Sequence, residues 1–132
     1  MDGEVRELIE RAINRSALMG GSFLLHLMKE LVETVEGEQA LKRLNIERGE
    51  FTGQIERHIA EERRLRETRD WRLRKADELV VKAITAQVGP KHSISTGDLF
   101  KALVYVDNER IQRIFGIFGV TESVMEGSYR HN

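Results

Sequence analysis

Apolar residues recur at helical spacing along most of the chain. In the first segment, Val5, Leu8 and Ala12 fall on one helix face together with Ile9 and Ile13. Comparable faces follow at residues 23–31, 40–44, 51–59 and 76–84. The chain has a single proline, and no run alternates between apolar and polar positions for long enough to indicate a strand. The pattern therefore predicts an all-α fold.

The clearest helix start lies in the stretch SISTGDLFKAL, residues 93–103. Ser95 is predicted to be the N-cap, and Asp98, three residues later, completes a capping box worth about 1 kcal/mol. A helix end is predicted at Asn45, a residue type that tolerates the left-handed conformation found just after helices. Gly89 and Pro90 are predicted to stop the helix that precedes this stretch.

The same helix pattern occurs twice. The stretch MGGSFLLHLM (residues 19–28) matches residues 94–103 at an offset of 75, and LKRLNIE (41–47) matches FGIFGVT (115–121) at an offset of 74, which places Asn45 opposite Gly119. Residues 5–13 match 76–84 at an offset of 71. The core pairs at the first offset are Met19 with Ile94, Leu24 with Leu99, and Met28 with Leu103.

We interpret these matches as a tandem duplication of a helical unit of roughly 55 residues. Two repeats are too few for an open solenoid, so the two four-helix repeats are expected to pack on each other with pseudo-twofold symmetry. The domain then spans residues 1–132, with repeat one at about 2–60, a linker at about 61–70 and repeat two at about 71–127.

Composition excludes several classes of protein. The 132 residues suffice for one domain with its own core, and 33% charged with 40% hydrophobic residues is typical of a globular chain. A net charge of −1 gives no overall attraction to nucleic acid or to an anionic membrane. The acidic N-terminus is unlike a signal peptide, and no apolar run approaches the ~18 residues of a membrane span. The expected location is the cytoplasm.

No motif for catalysis, metal binding or cofactor binding is present. The chain has no cysteine and no phosphate-binding G-x-x-x-x-G-K-[ST] loop, and no serine has a base and orienting acid assigned by motif. The four histidines lack metal-site spacing, and His26, on an apolar helix, is predicted to be hydrogen-bonded and half-buried. Gly20, Gly21 and Ser22 are interpreted as a helix start rather than an anion site. A non-catalytic protein without cofactors is predicted; the alternative is a small helical enzyme with an unrecognised site.

The segment from Arg63 to Lys75 mixes seven basic residues with acidic Glu67 and Asp70. A solvated surface with ion pairs explains this composition, and DNA or RNA binding through the segment is the alternative function. Trp71 is predicted to anchor the linker on the core, with a partner contact as its alternative role.

The repeat resembles the double repeat at the N-terminus of Clp ATPases, the ring-shaped unfoldases of ATP-dependent proteolysis and disaggregation. I-S-T-G-D-L-F-K-A-L and I-F-G-I-F-G-V-T carry the likeness in repeat two, and M-G-G-S-F-L-L-H-L-M and A-L-K-R-L-N-I-E carry it in repeat one. The resemblance implies an eight-helix domain that docks adaptor proteins or unfolded substrates, with Clp ATPase or protease subunits as further partners. The ATPase motor, if any, is expected to lie outside this chain.

This chain departs from the family pattern at several positions. Gly20 stands where the family usually has a capping threonine in repeat one. Some family members bind phosphorylated arginine through glutamates after the second helix of each repeat, but Thr34, Val106 and Asn108 occupy those positions here, so that site is not transferred. In their place repeat two has the apolar run Val104, Tyr105 and Val106. If exposed, this run is a candidate partner-binding patch; otherwise it packs under the connecting segment.

Overall fold

The chain is helical throughout the part that the structure, a computed structural model, describes: residues 3–65, 79–83 and 94–130. Within these ranges no strand occurs, which confirms the all-α prediction. None of the helices described is long and apolar enough to cross a membrane. The elements are α1 (Gly3–Met19), α2 (Phe23–Val32), α3 (Val35–Arg43), α4 (Arg48–Arg64), α5 (residues 79–83), α6 (Thr96–Ala102), a 3₁₀ turn (Leu103–Tyr105), α7 (Glu109–Ile117) and α8 (Glu122–Arg130).

Helix α2 forms the centre of the core. Nine of its ten residues are buried, as expected for a helix that is apolar nearly all round. It packs against α1, α3, α4 and α6. Of the predicted inner face of α1, Val5, Leu8 and Ala12 are buried, whereas Ile9 is partly buried and Ile13 is exposed. Burial of this helix set supplies the main stabilisation of the N-terminal half, which we define as α1–α4.

A cluster of phenylalanines joins the N-terminal half to the C-terminal half, α5–α8. The ring of Phe51 in α4 lies 6.1 Å from that of Phe100, 5.8 Å from that of Phe115 and 5.3 Å from that of Phe118, measured between centroids. The rings are tilted against one another, an arrangement that adds about 0.5–1.5 kcal/mol per pair beyond area burial. The two halves therefore share one apolar core.

The helix starts follow local capping chemistry. Ser95 caps α6 and forms the predicted capping box with Asp98, which confirms that interpretation. In α2 the cap is Ser22, whose side chain accepts a hydrogen bond from the Leu25 N–H. Gly20 is therefore not the cap of α2, which lies two residues later at Ser22. Both Gly20 and Gly21 have positive φ, so the turn uses two glycines before the capping serine.

Two helix ends share the same left-handed cap. Asn45 after α3 has φ of 60°, and Gly119 after α7 has φ of 71°, as the sequence predicted. In each case the N–H of the residue that follows the left-handed position donates to a carbonyl five residues earlier, from Ile46 to Leu41 and from Val120 to Phe115. These bonds complete a Schellman motif and satisfy carbonyls that the helix leaves open.

Several predictions concern residues outside those described, namely Trp71, the Gly89–Pro90 stop and most of the linker. Of the predicted linker, residues 61–64 continue α4 and Leu65 is its C-cap. In the segment matched to α1 only residues 79–83 are described, and there Leu79 is exposed whereas its counterpart Leu8 is buried. The duplication of the first helix is therefore not reproduced in its burial pattern.

Candidate functional site

The predicted partner-binding run Val104–Val106 does not form an exposed patch. Val104 and Val106 are buried in the core, and only Tyr105 is partly accessible. The run lies in and after the 3₁₀ turn, which packs against α7 and α8. The Tyr105 hydroxyl donates a hydrogen bond to Glu126 of α8. The two valines therefore do not meet the condition of exposure under which the run was a candidate patch.

The predicted nucleic-acid segment, Arg63 to Lys75, is described only as far as Leu65. Arg63 and Arg64 are exposed on the last turn of α4, where positive charge favours the helix C-terminus. The aliphatic part of Arg63 lies over the α2 entry turn, since a Cβ on Gly20 would be 3.1 Å from its Cγ. The described part of the segment therefore has a structural role at this turn.

A groove of about 490 Å³ lies between α4 and α7, where the two halves meet. Its α4 wall presents residues spaced three and four apart, which share one helix face, and its α7 wall does the same. Most of the surface it exposes is apolar. The lining residues are Gln54, Arg57, His58, Glu61, Arg113, Gly116 and Ile117.

Arg110 of α7 connects the walls of this groove. Its Nη1 lies 3.0 Å from His58 Nδ1 and 3.2 Å from a carboxylate oxygen of Glu61, and its Nε lies 3.5 Å from Glu62. The Arg110 side chain is 19% exposed, so these contacts are partly shielded from water. Because a guanidinium only donates, His58 Nδ1 accepts, and the neutral ring carries its proton on Nε2.

The ionisation states of this network agree with its geometry. Burial lowers the pKa of His58 below its ordinary value of 6.5, and the adjacent Arg110 charge lowers it further. The hydrogen bond from Arg110 lowers the pKa of the Glu61 carboxyl. At neutral pH the groove therefore contains a neutral histidine and an ionised glutamate, both held by Arg110.

Glu62 extends the network to the start of α2. Its second carboxylate oxygen accepts a hydrogen bond of 2.9 Å from the Ser22 N–H, and the residue is only 5% exposed. An internal carboxylate thus lies at the helix start formed by Gly20, Gly21 and Ser22, a place favourable to negative charge. This contact fixes the angle at which α2 leaves the turn.

His26 is hydrogen-bonded as predicted, and it is buried rather than half-buried. Its Nε2 donates to the Gly20 carbonyl at 2.7 Å, and burial lowers its pKa. Among the described residues no group of three or more metal-ligating side chains comes together. A second cleft, bordered by Glu33, Arg48, Thr52 and Glu56, carries two carboxylates and one guanidinium, and Glu56 also pairs with Lys29.

No match was found when the chain was compared with protein-family models, with curated proteins and with solved structures. The resemblance to the Clp double repeat therefore rests on the sequence motifs quoted above. The groove residues Arg57, His58, Arg110 and Arg113 were missed as a site. The spacing of Arg57, His58 and Glu61 on one face of α4 was the available signal, but the sequence did not show which helix would face it.

Proposed function

We propose that this chain is a non-catalytic protein-interaction domain that docks adaptor proteins or unfolded substrates for a Clp-type ATP-dependent unfoldase or protease. The domain would hold a peptide segment or an adaptor briefly and present it to a motor carried elsewhere. The observation that carries the proposal is the recurrence of one series of helices and caps in both halves, the arrangement that the Clp resemblance implies.

The recurrence extends over two consecutive helices in each half. Helix α2 has ten residues, and α6 with its 3₁₀ turn also has ten; α3 and α7 have nine each. The N-caps Ser22 and Ser95 lie 73 positions apart, and Thr34 and Asn108 lie 74 apart. The Schellman caps at Asn45 and Gly119 lie 74 apart as well. This agreement supports a tandem repeat whose two units pack with pseudo-twofold symmetry.

The register from the caps differs slightly from the one that the apolar residues suggested. Leu24 and Leu99 were paired at an offset of 75, which is two residues more than the offset of 73 between Ser22 and Ser95, the N-caps of the same two helices. Both leucines are buried, but two residues turn a helix by about 200°, so they do not occupy equivalent positions. The caps give the better register, because their geometry depends on one specific residue at each helix end.

The groove between α4 and α7 supports docking as the activity. It is open at the surface, mostly apolar, and placed between the halves, where a bound segment would contact both. Such a site recognises side chains without breaking bonds, and it suits transient binding of micromolar or weaker affinity.

The test is a two-dimensional NMR titration of the ¹⁵N-labelled chain with Clp adaptors, unfolded model proteins and a short DNA duplex. Saturable shifts with protein ligands, clustered on α4 and α7, would support the proposal. Shifts produced by the duplex alone, decreasing steeply with added salt, would refute it and favour the nucleic-acid alternative.

A further inference from the structure

The groove between α4 and α7 presents a basic side chain on each wall. Arg57 lies on the α4 wall and Arg113 on the α7 wall, and both are exposed. The carboxylate of Glu61, the acidic member of the lining, is bonded to Arg110. The lining therefore carries two exposed guanidinium groups against one carboxylate, which shares Arg110 with Glu62.

Neither arginine is held firmly by a partner. Arg57 makes no ion pair with the described residues. Arg113 pairs with Glu109 one turn earlier, but their side chains are 61% and 74% exposed. Exposed pairs at this spacing contribute little and are screened by salt, so Arg113 can exchange Glu109 for a ligand carboxylate at small cost.

The α7 wall also offers an apolar contact. Ile117 lines the groove and is 58% exposed, one of several large hydrophobic side chains that are exposed among the described residues. Beside it, Gly116 has no side chain, and nothing lies within 4 Å of the position that its Cβ would take. Ile117 and the adjacent open backbone leave space for one aliphatic side chain of a ligand.

We infer that this groove binds an extended acidic segment of a partner protein, with carboxylates on Arg57 and Arg113 and an aliphatic side chain against Ile117. Charge complementarity selects this occupant, because a guanidinium binds a carboxylate through paired hydrogen bonds and a cationic segment would be repelled. The inference rests on the proposed docking function and specifies its site and the kind of segment recognised.

The first experiment measures fluorescence anisotropy of a short labelled peptide that alternates glutamate with leucine, added to the full chain. Matched peptides replace glutamate with glutamine or with lysine. We expect the glutamine peptide to bind about tenfold more weakly and the lysine peptide not to bind, and affinity for the glutamate peptide to fall with added salt. Equal affinity for the three peptides would overturn the inference.

The second experiment locates the binding. Arg57→Gln and Arg113→Gln are each expected to weaken the glutamate peptide about fivefold, a loss typical of one partly exposed charged hydrogen bond. Arg6→Gln, an equal change of charge on exposed α1, should leave affinity unchanged. Gly116→Leu should abolish binding by placing a side chain in the groove, while the open space there preserves the fold, as circular dichroism would verify. Unchanged binding in the double arginine variant would refute the assignment.

The two proposals fail in distinguishable ways. If adaptors or unfolded proteins bind the wild-type chain and Gly116→Leu equally well, docking stands and the groove is excluded as its site. If the acidic peptide binds in the groove but no adaptor or unfolded protein does, the groove stands and the Clp-type function fails. Sedimentation that shows dimers which dissociate on adding the peptide would assign the groove to a second copy of this chain and overturn the inference.

Discussion

Two glycines inside helices should respond in opposite ways to substitution by alanine. Gly37 lies in the first turn of α3, and a Cβ there would stand 1.9 Å from the Leu31 carbonyl oxygen. That oxygen accepts hydrogen bonds from the N–H and the hydroxyl of Thr34, the N-cap of α3, at 3.1 and 2.7 Å. Gly53 in α4 has nothing within 4 Å of its Cβ position.

The magnitudes follow from these contacts. For Gly37→Ala the backbone must move by about 1 Å, so we expect overpacking of about 1–3 kcal/mol and weakening of one or two hydrogen bonds worth about 1 kcal/mol each. The gain in helix propensity offsets about 1 kcal/mol, which leaves a net loss of about 1–4 kcal/mol. Gly53→Ala keeps only the gain, and should stabilise by about 0.5–1 kcal/mol.

Urea unfolding followed by far-ultraviolet circular dichroism measures both changes. The midpoint should fall for Gly37→Ala and rise for Gly53→Ala, with the slope of unfolding free energy against urea unchanged in each. If Gly37→Ala were as stable as Gly53→Ala, the close approach of α3 to the end of α2 would not exist as described. The argument from the Leu31 carbonyl would then be refuted.

Three further predictions concern pH and caps. The pKa values of His26 and His58 are lowered below 6.5, so below about that pH the unfolded chain binds more protons than the folded chain. The free energy of unfolding should therefore be highest above pH 6.5 and decrease as the pH falls. Urea unfolding at a series of pH values between about 7.5 and 5.5 would show this decrease. His58→Gln, which keeps a hydrogen-bond acceptor for Arg110, should make the free energy of unfolding less dependent on pH. An unchanged pH dependence would contradict the lowered pKa assigned to His58. Gly119→Ala should destabilise by about 1 kcal/mol because φ there is positive, whereas Asn45→Gly should change little; equal effects in thermal melts would argue against the left-handed caps. Ser95→Ala should lower the free energy of unfolding by about 1 kcal/mol. If urea unfolding showed no such decrease, the capping box would contribute nothing to stability.

Helix ends could be predicted from the sequence where a few adjacent residues determine them. Ser95 with Asp98, and the left-handed positions at Asn45 and Gly119, depend on side-chain and backbone chemistry within a few residues. The cap at Ser22 was harder to predict from the sequence, because two glycines precede it and either of them could have ended the turn. Burial of Val104 and Val106 was one of the two alternatives that the sequence left open, because an apolar run alone does not show whether it faces solvent or the core.

The groove could not be predicted, because it depends on contacts between distant residues. His58 and Arg110 are 52 positions apart, and the spacing of either residue shows only which neighbours share its helix face. Which faces meet is decided by the shared core around Phe51, a tertiary feature that no local pattern encodes. The basic residues of the Arg63–Lys75 segment are adjacent in the sequence and can be recognised by composition. The arginines of the groove are separated along α4 and α7, so composition does not reveal them.

Carboxylates of the N-terminal half determine how the halves meet. Glu36 of α3 accepts a 2.6 Å hydrogen bond from the Gly97 N–H at the start of α6, and Glu61 and Glu62 of α4 pair with Arg110 of α7. Each contact places negative charge where the other half offers uncompensated positive charge, a helix start or a guanidinium. Because the carboxylate of Glu61 is used in this way, the groove is left with Arg57 and Arg113 as its available charges. The contacts that hold the halves together thereby also determine which charged side chains line the groove.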